Sequence, residues 1–295
     1  MSEIRIDALL PQEMASRAEY LGLRKSEMPF LKTFMLAVLA GAFIALGALF
    51  ATTVSAASMP VTSPDGSLAY NTALPYGVVR LLAGLVFSLG LILVLVGGAE
   101  LFTGNNLIVM AWASGKVRGL ALLRNWIIVY IGNFAGATGT AVLMFLTKQY
   151  TFGSNAVGIT ALKTAVGKCD LTFIQAIALG VLCNALVCMA VWLTYSARST
   201  TDKILAIVFP ITAFVAAGFE HSIANMYFIP YALMIKDFDP AFIGAVNSQV
   251  AHLDKLTWQA FFLNNLVPVT IGNIIGGAVL VAAVYWAIFL RQPAS

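Results

Sequence analysis

Gly98-Ala99-Glu100-Leu101-Phe102-Thr103-Gly104-Asn105-Asn106 sets an acid, two glycines and two amides inside an apolar run, Leu81 to Ala113, that is too long for one ordinary transmembrane helix. Such a run predicts a near-complete half-helix from Leu81 to Val96, a loop over Gly97 to Thr103, and a short second half from Gly104 to Ala113. The pattern returns 120 positions later in Gly218-Phe219-Glu220-His221-Ser222-Ile223-Ala224-Asn225-Met226, which repeats the glycine, the acid and the asparagine. A second echo sets Ile131-Gly132-Asn133 and Gly136 against Ile271-Gly272-Asn273 and Gly276, 140 positions apart, and makes duplication the better reading. Corresponding interrupted segments in two halves are the usual pointer to a transport route near the bilayer midplane.

Working outward, the 295 residues are 60% hydrophobic and 10% charged, with a mean hydropathy of +0.89, a composition of integral membrane proteins rather than of soluble domains. Residues 1–32 are polar and mixed in charge; Ile6, Leu9, Leu10, Met14 and Leu21 are spaced to bury one side of a surface helix, and no signal peptide is read there. Spans are expected from about Thr33 to Val54, over the broken Leu81–Ala113 run, and from Trp126 to Leu146. Residues Thr147 to Asp170 read as a connecting loop. Further spans follow from Leu171 to Tyr195, over Ile204 to Ile235 with a break at Gly218 to Ser222, and from Ala260 to Phe289. Pro230 is expected to kink or end the second half of the fifth segment, because it brings no N–H to the helix.

The fold class is therefore an all-α integral membrane protein whose six segments form two three-segment repeats, about 33–146 and 171–291, in a single transmembrane domain 33–291, with segments 2 and 5 broken. Three crossings per half invert the second repeat relative to the first. With both termini on one face, eleven Lys and Arg fall there and six on the other, which puts the termini in the cytoplasm.

Backbone that leaves helical geometry inside a membrane survives only within protein or along an aqueous cavity, so the two breaks must line something. Their half-helix N-termini favour an anion. Glu100 and Glu220 are read as structural, either accepting hydrogen bonds from N–H groups freed at the breaks or staying protonated. His221 is the intramembrane group whose ordinary titration range is nearest neutrality, and Thr103, in the matching neighbourhood of the first half, is placed to hydrogen-bond its imidazole. Phe87, Leu91, Phe102, Val187 and Phe214 are apolar residues that narrow a path or simply pack. Cys183 and Cys188 read as small buried hydrophobes, and two histidines are too few for a histidine-built metal site. No nucleotide-binding, hydrolase or metalloprotease motif occurs, and the basic residues lack the aromatic interleaving of a nucleic-acid surface, so no enzyme activity, cofactor or nucleic-acid partner is expected.

At these residues the sequence resembles the formate/nitrite transporter family, in particular its formate channel branch. Leu95-Val96-Gly97-Gly98-Ala99-Glu100-Leu101-Phe102-Thr103-Gly104 matches the first family signature throughout. Gly180-Val181-Leu182-Cys183-Asn184-Ala185-Leu186-Val187-Cys188-Met189-Ala190 resembles the second, departing at Ala185 and Met189. Leu9-Leu10-Pro11, Glu220 to Met226 and Pro268 to Gly277 extend the resemblance over nearly the whole chain. It implies an aquaporin-like protomer in a homopentamer of the bacterial cytoplasmic (inner) membrane, with one path per subunit for passive or proton-linked transport of formate. Nitrite, acetate, lactate or hydrosulfide are the alternative small anions. By matching motif it implies that His221 is the central histidine, Thr103 its partner, and Asn184 and Asn273 the polar groups nearby. Leu91, Phe102 and Val187 would form a cytoplasmic constriction, Phe87 and Phe214 a periplasmic one, and Lys168 would attract anions into the periplasmic vestibule. A neutral-solute pore, the rival on architecture alone, would call for an arginine filter and Asn-Pro-Ala pairs, and neither is present.

Overall fold

The computed structural model describes residues 8–57, 61–62, 68–70 and 74–291. Ile6 of the expected surface helix lies outside the described residues. α1 (Pro11–Ser26) starts with proline in its first turn and with the Glu13 carboxylate accepting the Leu10 N–H at 2.9 Å; Arg24 and Lys25 close it, matching the sign of the helix dipole. α2 (Phe30–Ala56), at 27 residues, is long enough for the hydrocarbon layer. A short antiparallel pairing of β1 (Val61–Thr62) with β2 (Leu68–Tyr70) precedes α3 (Tyr76–Gly97).

Gly98 then takes φ +76°, a left-handed conformation that glycine adopts without strain, and ends the helix. After extended Leu101 the chain restarts as α4 (Phe102–Asn105), a 3₁₀ turn (Asn106–Ile108) and α5 (Val109–Ala113). The second half-helix thus begins at Phe102, two residues before the expected Gly104, and Thr103 sits in its first turn. α6 (Gly119–Leu146) closes this half.

Residues 156–169, expected in a loop, form α7 (Ala156–Cys169). Lys163 and Lys168 obscured it, yet buried Gly158, Ile159, Ala161, Leu162, Ala165, Val166 and Cys169 recur at helical spacing. α8 (Phe173–Ser196) is capped by Thr172, whose hydroxyl accepts the Gln175 N–H, and α9 (Thr200–Ala217) by Ser199 in the same way with Asp202. Gly218, at φ +77°, repeats the stop at Gly98, and α10 (Ser222–Phe238) follows. Pro230 lies inside α10 and does not end it, so the early stop, one of the two expected outcomes, does not occur. α11 (Pro240–Val246) leads to the last span, Ala260–Phe289, where wide π-helical turns alternate with α12 (Val267–Ile274) and α13 (Val284–Phe289).

Six helices among the described residues are long and apolar enough to cross a membrane, and the chain is a multi-pass membrane protein. Small residues bring the spans together. A Cβ on Gly136 would overlap the Val38 carbonyl oxygen, and one on Gly276 the Val181 carbonyl oxygen. α6 and the last span therefore lie against α2 and α8 with backbone touching backbone, in the same way in each half.

Candidate functional site

Both breaks are held by the same hydrogen-bond scheme. Asn133 Oδ1 accepts the Phe102 N–H at 2.9 Å, while its amide donates to the carbonyls of Ala37 (2.7 Å) and Glu100 (2.9 Å). Asn273 Oδ1 accepts the Ser222 N–H at 2.9 Å and its amide donates to the carbonyls of Gly180 and Glu220, both at 2.9 Å. One buried amide thus satisfies two groups that the loss of helix would orphan, an N–H and a carbonyl at the break, and ties them to a carbonyl inside the neighbouring span. The Glu100 and Glu220 N–H groups go to the Leu36 and Leu179 carbonyls.

The acids do something other than the expected capping of freed backbone. Glu100 takes Lys25 Nζ at 2.8 Å and Asn105 Nδ2 at 2.7 Å; Asn105 also donates to Asn125 Oδ1 (2.9 Å), and Asn125 to the Lys25 carbonyl (3.1 Å). Glu220 takes Lys168 Nζ at 2.7 Å and Asn225 Nδ2 at 2.7 Å; Asn225 donates to Asn265 Oδ1 (2.7 Å), and Asn265 to the Lys168 carbonyl (2.9 Å). Each break carries a closed ring of lysine, glutamate and two asparagines. Since Lys25 comes from α1 and Lys168 from α7, these two helices are equivalent, and the duplicated unit reaches back to α1 rather than starting at residue 33. Asn125 and Asn265 went unnoticed in the sequence, although their separation of 140 is that of Asn133 and Asn273.

Two cavities approach the breaks from opposite faces. One, of about 300 Å³, is lined by α1 through Arg17, Leu21 and Lys25, together with Leu91, Glu100 and Leu101. The other, of about 340 Å³, is lined by Arg80, Phe87, Lys168, Phe214, Glu220 and His221. His221 caps α10: its Nδ1 accepts the Ala224 N–H at 3.1 Å, which leaves the ring proton of the neutral tautomer on Nε2, 3.0 Å from Thr103 Oγ1. Both residues are buried. By register along the repeat, His221 corresponds to Leu101 and Thr103 to Ile223, so the two do not hold equivalent places. Leu101 and His221 are both extended residues just before a half-helix.

Phe87 and Phe214 meet edge to face with ring centroids 5.6 Å apart, and Phe214 lies along the imidazole at 6.0 Å. Leu91 lines the α1-side cavity. Phe102 and Val187 line neither cavity; they are buried in the same apolar cluster as Leu91, Phe87 and Phe214, and the Phe102 ring packs against Trp126 and Tyr130. Asn184 is fully buried and donates to the carbonyls of Thr103 (3.3 Å) and Asn273 (2.6 Å), so it ties the two breaks together instead of facing a cavity. Lys168 lines the cavity but is engaged by Glu220.

The chain is 46% identical over 287 residues to the formate channel FocA of Escherichia coli (strain K12), covering 97% of this chain and 96% of that one. It is 39% identical over 276 residues to the formate channel FocA of Haemophilus influenzae, covering 93% and 92%. Among solved structures it resembles a pentameric formate channel with formate bound, with a TM-score of 0.78 and 44% identity over 89% of this chain and 98% of that one. It also resembles an ion channel of the same family, with a TM-score of 0.73 and 25% identity over 94% and 98%. The sequence profile described as formate/nitrite transporter matches residues 12–287, and with a duplicated pair of capped breaks set between two cavities, the chain belongs to the formate/nitrite transporter family.

Proposed function

We propose that this chain conducts formate across the bacterial inner membrane, through a path in each subunit of a homopentamer, with α1 and both termini on the cytoplasmic face. The observation that carries the reading is the buried Thr103–His221 pair, which stands at the break of each half and draws its two members from different repeats. The bias of Lys and Arg supports the orientation. The similarity to formate channels, one of them pentameric with formate bound, supports the solute and the assembly.

Formate enters a vestibule whose lining has more cations than acids. On the α1 side these are Arg17, Lys25 and Lys203 with Glu100; on the far side they are Arg80, Lys163 and Lys168 with Glu220. Lys168, although paired, belongs to this excess and draws anions inward. Between the vestibules, Leu91, Phe102 and Val187 on one side and Phe87 with Phe214 on the other exclude water, and a bare anion there faces a barrier of several kcal/mol. Crossing as formic acid removes that barrier. Thr103 Oγ1 accepts the His221 Nε2–H, so its own hydroxyl hydrogen is left to point at a formate oxygen, and the imidazole, directly or through water, helps the acid gain and lose its proton. Asn184 and Asn273 hold the two halves of this arrangement in register.

The test is uptake of labelled formate, nitrite and acetate into proteoliposomes, with and without a proton gradient. Formate should enter fastest, and His221→Ala should change both the flux and its pH dependence. Unchanged flux and pH dependence in that variant would remove the histidine from the mechanism; a nitrite preference would replace formate as the solute.

A further inference from the structure

The groove at the α1–α2 junction carries an excess of basic residues on one copy of the duplicated scaffold and not on the other. It has a volume of about 540 Å³ and is lined by Tyr20, Arg24, Glu27 and Lys32, besides Lys25, which Glu100 already engages. Arg124 reaches the junction from α6, its Nη1 donating to the Met28 carbonyl at 3.3 Å. Arg24, Lys32 and Arg124 are all exposed, and Glu27 is the one exposed acid among the described residues that line the groove.

At the α7–α8 junction the repeat builds the matching groove, lined by Asp170, Thr172, Asp254, Lys255 and Asn264, with Lys255 paired to Asp170. The register set by the two lysine–glutamate–asparagine rings matches Arg24 with Gly167, Lys32 with Gln175 and Arg124 with Asn264. The fold is therefore built equally well with neutral residues at all three positions, so packing does not require these cations. Next to the basic groove, at the start of α2, Phe30, Leu31 and Met35 are more than half exposed, and the Phe30 ring stacks on Phe34 at 6.0 Å. This is where the helix enters the hydrocarbon layer, so a charged groove lies directly beside an apolar strip.

We propose that this groove binds an anionic phospholipid. Arg24, Lys32 and Arg124 take the phosphate, with the guanidinium forks matching its oxygens, and an acyl chain lies along Phe30, Leu31 and Met35. A zwitterionic lipid carries its own ammonium and gains less from three cations; free phosphate gains nothing from the strip. Each basic group near an anionic lipid surface corresponds to roughly a fivefold gain in affinity.

The test exchanges the full-length protein into mixed micelles holding equimolar phosphatidylglycerol and phosphatidylcholine, and counts the lipids retained by native mass spectrometry. Phosphatidylglycerol should be retained over phosphatidylcholine by at least about fivefold. The triple variant Arg24→Gln/Lys32→Gln/Arg124→Gln should bring the two to parity, and Lys255→Gln in the opposite groove should leave the preference unchanged. Should the triple variant fail to elute as the intact assembly, the double variant Arg24→Gln/Lys32→Gln, which keeps the Arg124–Met28 bond, decides. Equal retention by the unaltered protein, a preference that survives the double variant, or one lost in Lys255→Gln overturns the site.

Discussion

The two halves of the molecule share a scaffold and differ in the residue each places before its second half-helix. Glycine at φ +76° or +77°, an acid paired with a lysine, an asparagine ring and an asparagine cap recur with hydrogen-bond lengths that agree within about 0.2 Å. At the residue before the half-helix the first half has Leu101 and the second has His221. The recurring parts solve the problem both halves face, a backbone broken inside a membrane. In the function proposed above, the differing parts are the ones that meet the solute.

The largest effect that would break this comparison concerns the paired acids. Lys168 is 14% exposed in its side chain and Lys25 29%. Both carboxylates are 5% exposed, and removing the better-buried lysine opens the smaller path for water to reach its acid, so Lys168→Ala is expected to cost about 3 kcal/mol or more of stability and Lys25→Ala clearly less. Thermal unfolding of both variants in detergent checks the order, and Lys168→Met/Glu220→Gln should recover part of the loss. If both single variants melt alike, the two rings are energetically the same despite their different exposure.

Next come the close approaches. Gly136→Ala and Gly276→Ala each drive a methyl into a carbonyl oxygen of the neighbouring span and should lower stability by similar amounts, about 2–3 kcal/mol, whereas Gly139→Ala, with open space at its Cβ, should be silent. Yield and melting temperature report this. Unequal losses would mean that one half relaxes where the other cannot.

A smaller effect sharpens the asymmetry. Thr103→Val keeps the shape and removes the hydroxyl beside His221 Nε2, a loss of about 1 kcal/mol or roughly fivefold in formate flux. Ile223→Val, at the equivalent position of the other half, should leave flux nearly unchanged. Stopped-flow measurement of vesicle acidification compares them.

The smallest expected effect lies away from the two breaks. Tyr150 donates its hydroxyl to Asp239 at 2.7 Å, and this bond, with the Phe242 N–H at 3.0 Å, holds the Asp239 carboxyl below the ordinary carboxylate range. A carboxyl depressed on folding contributes stability above its unfolded pKa of about 4, and the contribution fades as pH falls towards the folded value. Tyr150→Phe should therefore lower the melting temperature slightly at neutral pH, with the difference shrinking as pH falls below about 4. A difference independent of pH would attribute it to packing alone.

How much could be read in advance follows from which interactions are local. The six spans, the two breaks and the duplication are legible because hydropathy over about twenty residues and glycine followed by an acid are properties of contiguous sequence. α7 reads as a loop in the sequence because its lysines lower the local apolarity, although Lys168 turns inward to Glu220 and the buried residues of the helix recur at a spacing of 3–4. Glu100 and Glu220 stand out in the sequence as intramembrane acids, but their lysine and asparagine partners do not. Lys25 lies 75 residues from Glu100 and Lys168 lies 52 from Glu220, and no local pattern connects them.

By itself the sequence determined that the chain crosses a membrane six times, that two crossings are interrupted, and that an imidazole stands at one interruption. Each of these depends on the chemistry of neighbouring side chains against lipid. Only the tertiary structure decided that α1 belongs to the repeat, that Asn133 and Asn273 cap the breaks, and that Lys25 and Lys168 pair with the two acids. Those facts depend on which distant groups are brought within about 3 Å of one another. A buried hydrogen bond is fixed by three-dimensional closure of the chain, which a linear spacing does not encode.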